Sequence, residues 1–270
     1  MCKMPTLFMP HGGGPCFFMD WDPPETWERM AAYLRAIPAS IGQKPKAIVL
    51  ISGHWEEALV TIQSNPSPSL LFDYYGFPEH TYQIKYPAPG STKLAGQISM
   101  LLNQAGIASE LDEERGFDHG VFIPLKISFP EADIPIVQVS LCANLDPSTH
   151  IDVGKAMQPL RDEGVLIVGS GMSYHNMQTM MKNMRGSHSA ISESDQFDEW
   201  LTEILTVAQP KVREQSLTMW EKAPAGRLAH PREDHLLPLH VVVGAAGIDK
   251  GRKMLKDTVL GSTQSAFQFG

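Results

Sequence analysis

Imidazole is the side chain that sets this sequence apart. Its 270 residues include ten histidines, and five of those share one kind of setting. His11 opens the loop Pro10-His11-Gly12-Gly13-Gly14-Pro15. His54 closes Ser52-Gly53-His54, and His119 stands between Asp118 and Gly120. His175 comes shortly after Gly169-Ser170-Gly171, and His235 precedes Leu236-Leu237-Pro238. Each lies beside a glycine, a strand end or a helix start, and glycine lets backbone come close to a ligand. Neutral imidazole offers two chemistries at such a place. Its ring nitrogens suit iron, zinc or copper, with carboxylate as an extra donor. Its near-neutral pKa also suits general acid and base work. A catalytic metal takes about three protein ligands and keeps positions open, so the surplus histidines are expected to move protons.

Signatures of other chemistries are weaker. The triple-glycine loop is neither GxGxxG nor a P-loop ending in GK[ST], which argues against a phosphate cradle. Ser170 sits in Gly-Ser-Gly and lacks the GxSxG context of a hydrolase nucleophile. His235 and His240 are five apart, so they do not share a helix face as an HExxH pair does. Cys2, Cys16 and Cys142 show no CxxC spacing, so neither a disulfide framework nor a thiolate zinc site is expected. His80, His150 and His188 read as an ordinary surface residue, a residue near a helix start and part of a polar loop.

The elements that must position the five histidines are legible as hydrophobic runs. Ala47 to Ile51 and Val165 to Val168 are apolar on every residue, as in strands of a parallel sheet covered on both faces. Such strands present their carboxyl ends to ligands, and here those ends are Ser52-Gly53-His54 and Gly169-Ser170-Gly171. Thr6 to Met9, Leu59 to Gln63, Ile107 to Leu111 and Ile134 to Leu141 read as further strands. Ser262 to Phe269 reads as a closing edge strand. Helical spacing of apolar residues marks Pro23 to about Pro38, Thr92 to Ala105, His150 to Leu160, Phe197 to Ala208 and the run that begins near Pro238. Asp118 either orients His119 or caps the helix after it. The aromatic stretch Phe72 to His80 reads either as a wall for a flat ligand or as packing. The expected architecture is α/β: a single domain over residues 1–270, with a central mostly parallel or mixed sheet flanked by helices. The active site is expected at the carboxyl edge of the strands.

Hydrophobic residues make up 43% of the chain and the formal charge is -8. The acidic balance argues against nucleic acid and anionic membranes as partners. No apolar run approaches the roughly 18 residues of a membrane span. The first residues lack a secretory apolar region, so a cytoplasmic location is expected. A homo-oligomer is compatible with all of this.

Several motifs in one order carry a resemblance. They are His11-Gly12-Gly13-Gly14-Pro15, Ser52-Gly53-His54-Trp55-Glu56, and Gly76-Phe77-Pro78 with Tyr86-Pro87-Ala88-Pro89-Gly90. Gly116-Phe117-Asp118-His119-Gly120 and Glu233-Asp234-His235-Leu236-Leu237-Pro238-Leu239-His240 complete the set. Together they resemble the LigB-type extradiol ring-cleavage dioxygenases, in particular the DOPA 4,5-dioxygenase branch. The resemblance implies Fe(II) held by His11, His54 and His235, with Zn(II) a common replacement in purified protein. His175 or Glu233 are candidate additional ligands, since the wider group uses two histidines and a glutamate. It implies a small aromatic diol and O2 as reactants, His119 and His175 as catalytic groups, and Asp118 and Tyr174 near the substrate. The sequence departs from its relatives at the bulky Met172-Ser173-Tyr174 and at the three glycines after His11. Two other readings fit the same residues. One is a zinc hydrolase or amidase with Glu56 or Glu233 as base. The other is a non-catalytic binding protein of the Memo type.

Overall fold

Eight strands form one mixed sheet in a computed structural model that describes residues 3–185 and 189–270. His188 therefore lies outside the described residues. The strands are β1 (Thr6–Pro10), β2 (Ala47–Glu57), β3 (Val60–Gln63), β4 (Ser109–Asp112), β5 (Ile136–Cys142), β6 (Val165–Gly171), β7 (Gly251–Val259) and β8 (Ser262–Phe269). Their order is β4-β3-β5-β2-β6-β1-β8-β7. The central four, β5, β2, β6 and β1, run parallel. Antiparallel pairing of β3 with β5, and of β8 with β1 and β7, extends the sheet on both sides.

The helices are α1 (Glu28–Ser40), α2 (Thr92–Gln104), α3 (His119–Ser128), α4 (Pro147–Met157), α5 (Met177–Arg185), α6 (Ser192–Thr206), α7 (Pro210–Thr218), α8 (Gly226–Ala229) and α9 (Leu237–Ala246). They cover both faces, and alternate residues of each central strand meet them. Ile48 and Leu50 of β2 pack with α1 and α3 through Leu34, Val121 and Leu125. Val49 and Ile51 point the other way, to Ile98 of α2, Met157 of α4 and Val241 of α9. That two-sided burial is why these strands carry no polar face. α1 runs on past the expected stop at Pro38 to Ser40.

One strand is placed differently from the expectation. β8 is not an edge: it lies between β1 and β7, and all eight of its residues are buried. The edge is β7, where Arg252, Lys256 and Thr258 are exposed between buried Gly251, Leu255, Asp257 and Val259. Charged residues on its outward positions suit an exposed strand.

Candidate active site

Three adjacent strand ends bring the first histidines together. β1 and β6 stay in register up to Pro10 and Gly171, and the His11 amide donates to the Gly171 carbonyl at 3.3 Å. β2 lies on the other side of β6. Between Ile51 and Glu56 on β2, its partner β5 advances only from Val139 to Leu141. The extra backbone bulges out of the ladder and carries His54 with it, a common device for re-aiming a side chain at a site. The loop before α9 closes over this edge, and its His235 carbonyl accepts from the Met172 amide at 3.1 Å. It lies so close that a Cβ on Gly171 would run into the same carbonyl oxygen. Gly120, at the start of α3, is packed as tightly against the Ser52 hydroxyl and the His54 ring.

The imidazoles of His11, His54 and His235 form a compact set. Their ring centroids are 4.8 Å (His11–His54), 5.1 Å (His11–His235) and 4.6 Å (His54–His235) apart. One donor atom from each lies within 4.8 Å of the others, and the Nε2 atoms of His54 and His235 are 3.2 Å apart. Two nitrogens on one metal at about 2.1 Å, seen at 90–110°, are separated by roughly 3–3.4 Å. Both ring nitrogens of His11, and Nδ1 of His235, are buried without a hydrogen-bond partner. An unpaired buried polar atom costs about 1–3 kcal/mol, and a shared cation would satisfy one of the two His11 nitrogens, while Nδ1 of His235 lies 3.2 Å from Asp234 Oδ2. Burial, then the neighbouring imidazoles, hold the pKa of His11 and His235 well below the usual histidine value. His54 is lowered likewise, by burial first and then by His119. All three therefore keep lone pairs at neutral pH. The donor set fits a divalent ion with open positions.

Two more imidazoles flank this set. The His175 ring stacks on His235 at 3.4 Å and 15°. Burial, and then the neighbouring His119 ring, bring its pKa down to about 4. His119 sits 4.0 Å from His54, ring to ring. Its Nδ1 is 2.8 Å from Oδ1 of Asp73, and its backbone amide donates to the same oxygen at 3.0 Å. With Nδ1 bonded to the carboxylate, Nε2 is the nitrogen left for a ligand, a standard way to fix a tautomer. Burial pushes the Asp73 carboxyl up, but hydrogen bonds from the His119 ring and amide, with the neighbouring imidazoles, pull it below the usual range. All five histidines line a cavity of about 360 Å³, with Tyr74, Phe77, Trp27 and Met172 on its walls.

The other expected site residues lie elsewhere. Asp118 stands at the N-terminus of α3, yet its side chain neither caps the helix nor orients His119. It is fully buried and accepts from Ser52 Oγ at 2.8 Å, Arg115 Nη2 at 3.3 Å and Gln138 Nε2. It thus ties β2, β5 and α3 together beneath the cavity. Tyr174 packs behind the wall with Phe8, Met180 and Phe197. Glu233 points away from the imidazoles and pairs with Arg227 at 2.7 Å. Glu56 is held by both guanidinium nitrogens of Arg232. The Ser170 hydroxyl donates to the Gly120 carbonyl, so that serine braces α3. Asp73 is the functional group that sequence reasoning missed. Its one signal was a lone carboxylate between aromatic residues in the stretch read as a ligand wall.

Comparison with known proteins shows the family and the fold. A family model described as the catalytic LigB subunit of aromatic ring-opening dioxygenase matches residues 5–268. A 4,5-DOPA dioxygenase extradiol of Portulaca grandiflora is 41% identical over 76% of this chain and 74% of its own length. The Beta vulgaris protein of the same description is 36% identical over 96% and 93%. In structure, an uncharacterised protein of Escherichia coli K12 superposes with a TM-score of 0.79 at 30% identity, covering 99% of this chain and all of the other.

Proposed function

The chain belongs to the LigB family of aromatic ring-opening dioxygenases and is an extradiol ring-cleaving enzyme; from that premise we propose that it opens a catechol at the five-histidine cavity. The net reaction balances without a further reductant. One aromatic C–C bond beside the diol breaks, and both atoms of O2 enter the product as part of an aldehyde and a carboxylic acid. O2 is the oxidant and the ring carbons are oxidised. The observation that carries the reading is the trio His11, His54 and His235, with donor atoms within 4.8 Å and the ring nitrogens of His11 without a hydrogen-bond partner.

We assign metal binding to those three residues, with Fe(II) in the active form and Zn(II) as its replacement in aerobically purified protein. When bound, such an ion supplies Lewis acidity toward the diol and open positions for both reactants. The protein's own groups do the rest. His175, unprotonated at neutral pH because its pKa is lowered to about 4, takes a proton from the diol. An imidazolium so acidic gives that proton back readily later in the cycle. His119, oriented by Asp73, presents Nε2 to substrate or dioxygen. Tyr74 and Phe77 hold the flat ring, which removes much of the orientational entropy of a three-body encounter.

Arg232 and Arg227 pair with Glu56 and Glu233, the two carboxylates that the hydrolase reading would use as base. The test is to load apoprotein anaerobically with Fe(II) and admit 18O2 with a catechol. A yellow ring-opened semialdehyde carrying two labelled oxygens is expected. Loaded protein that consumes no O2 with any catechol would overturn the proposal.

A further inference from the structure

Away from the imidazoles, the cavity lining is rich in methionine. Met180, Met181 and Met184 of α5 line it together with the more exposed Met177, and Met172 joins them from the end of β6. Trp21, Trp27 and Leu260 complete this outer wall. Among the described residues, no lysine, arginine, aspartate or glutamate lines the cavity. Its polar atoms are concentrated at the five imidazoles, where a diol would be held. Among the described residues, a substituent on the catechol ring therefore meets no side-chain charge of opposite sign in this chamber. Transferring a lone carboxylate or ammonium group there from water is unfavourable. An apolar substituent gains by leaving water, and methionine side chains adapt their shape to it and make favourable contacts with aromatic rings.

The way out of the chamber reinforces this. Trp21, Met184 and Leu260 also border a surface groove of about 1000 Å³. Among the described residues, the ionisable ones lining that groove are Asp22, Glu25, Glu28 and Asp257, against the one cation Arg29. A carboxylate long enough to reach past the methionines meets a predominantly acidic rim, where like charges repel.

Resting on the dioxygenase reading above, we propose that the substrate is a catechol bearing an uncharged apolar substituent, alkyl or aryl, rather than an amino-acid or carboxylate catechol. The methionine wall of α5 sets that preference, and the imidazoles set the diol position.

The experiment compares kcat/KM of the Fe(II)-loaded full chain for 4-butylcatechol, biphenyl-2,3-diol, L-DOPA and 3,4-dihydroxybenzoate. The uncharged pair should lead both charged substrates by roughly 100-fold or more, the order of discrimination available when a buried group is left unpaired. Equal or better turnover of L-DOPA or 3,4-dihydroxybenzoate overturns the proposal. Binding is read separately through the fluorescence of Trp21 and Trp27, using the same compounds under argon. If nothing turns over, the dioxygenase reading fails. The binding order then still decides the substituent claim, and tighter binding of the charged compounds refutes it. Met181→Arg supplies the missing cation. It should shift the kcat/KM ratio toward 3,4-dihydroxybenzoate by about tenfold or more, and an unchanged ratio counts against the wall as the determinant.

Discussion

At the residue scale, the five imidazoles divide by their partners. His11 and His235 carry orphaned nitrogens, whereas His119 is tied to Asp73 and His175 lies flat on His235. His175→Ala and His119→Ala should therefore retain bound metal while turnover falls about 10²–10⁴-fold, the usual contribution of a positioned acid or base. Metal content by elemental analysis, alongside O2 uptake, separates the two effects; metal lost from either variant makes that residue a ligand. Asp73→Asn keeps the shape but weakens the fixing of the His119 tautomer, and kcat should drop about 10–100-fold. The pH profile has a definite sign. His175 must be unprotonated to act, and its pKa is lowered to about 4. Activity should persist as pH falls through 6.5 and be lost only as it nears 4. An acidic limb centred near 6.5 would show an imidazole with its ordinary pKa in that role.

At the element scale, the site depends on close approach between the sheet edge and two later segments. Gly171→Ala places a methyl group against the His235 carbonyl, where fixed backbone rather than a mobile side chain must yield. Overpacking of this kind costs about 1–3 kcal/mol, and it should lower metal occupancy by shifting His235. Gly96 is the control: it is exposed within α2 with no atom near its missing Cβ. Gly96→Ala should stabilise the protein by up to about 1 kcal/mol. Thermal melts of the two variants check both signs. Legibility in the sequence follows the same division. β2 and β6 were readable because burial on both faces leaves unbroken apolar runs, and their glycine-rich ends pointed to the edge. β8 was misread as an edge because a terminal strand gives no local sign of its second neighbour. The alternation in β7 that marks it as the true edge was interrupted by Lys253 and Met254. The Asp73–His119 bond spans 46 positions and the Arg232–Glu56 pair spans 176, so no local pattern could reveal either. The buried bonds of Asp118 are hidden for a related reason: its partners Ser52 and Gln138 come from separate strands.

At the scale of the whole molecule, the fold buries neutral histidines well beyond the site. Burial lowers the pKa of His230 to about 3 and of His240 to about 4, and also lowers His150. Their unfolded counterparts titrate near 6.5. Above that value both states are neutral and pH has no effect through these groups. Below it the unfolded chain binds protons that the fold refuses, so stability falls with pH, by about 2 kcal/mol at pH 5 for each histidine kept neutral. The melting temperature of the metal-free protein should drop by at least several degrees between pH 7 and pH 5. A flat profile would mean that these side chains are charged within the fold. Among the described residues no helix is long and apolar enough to cross a membrane.

The most direct measurement counts metal. Wild-type chain and the variants His11→Ala, His54→Ala, His235→Ala and His119→Ala are loaded with Fe(II) without oxygen, freed of excess ion by gel filtration and assayed for iron. Wild type and His119→Ala should hold close to one ion per chain, and the other three should hold almost none. Full occupancy in any of those three would contradict the assignment of the shared cation to His11, His54 and His235.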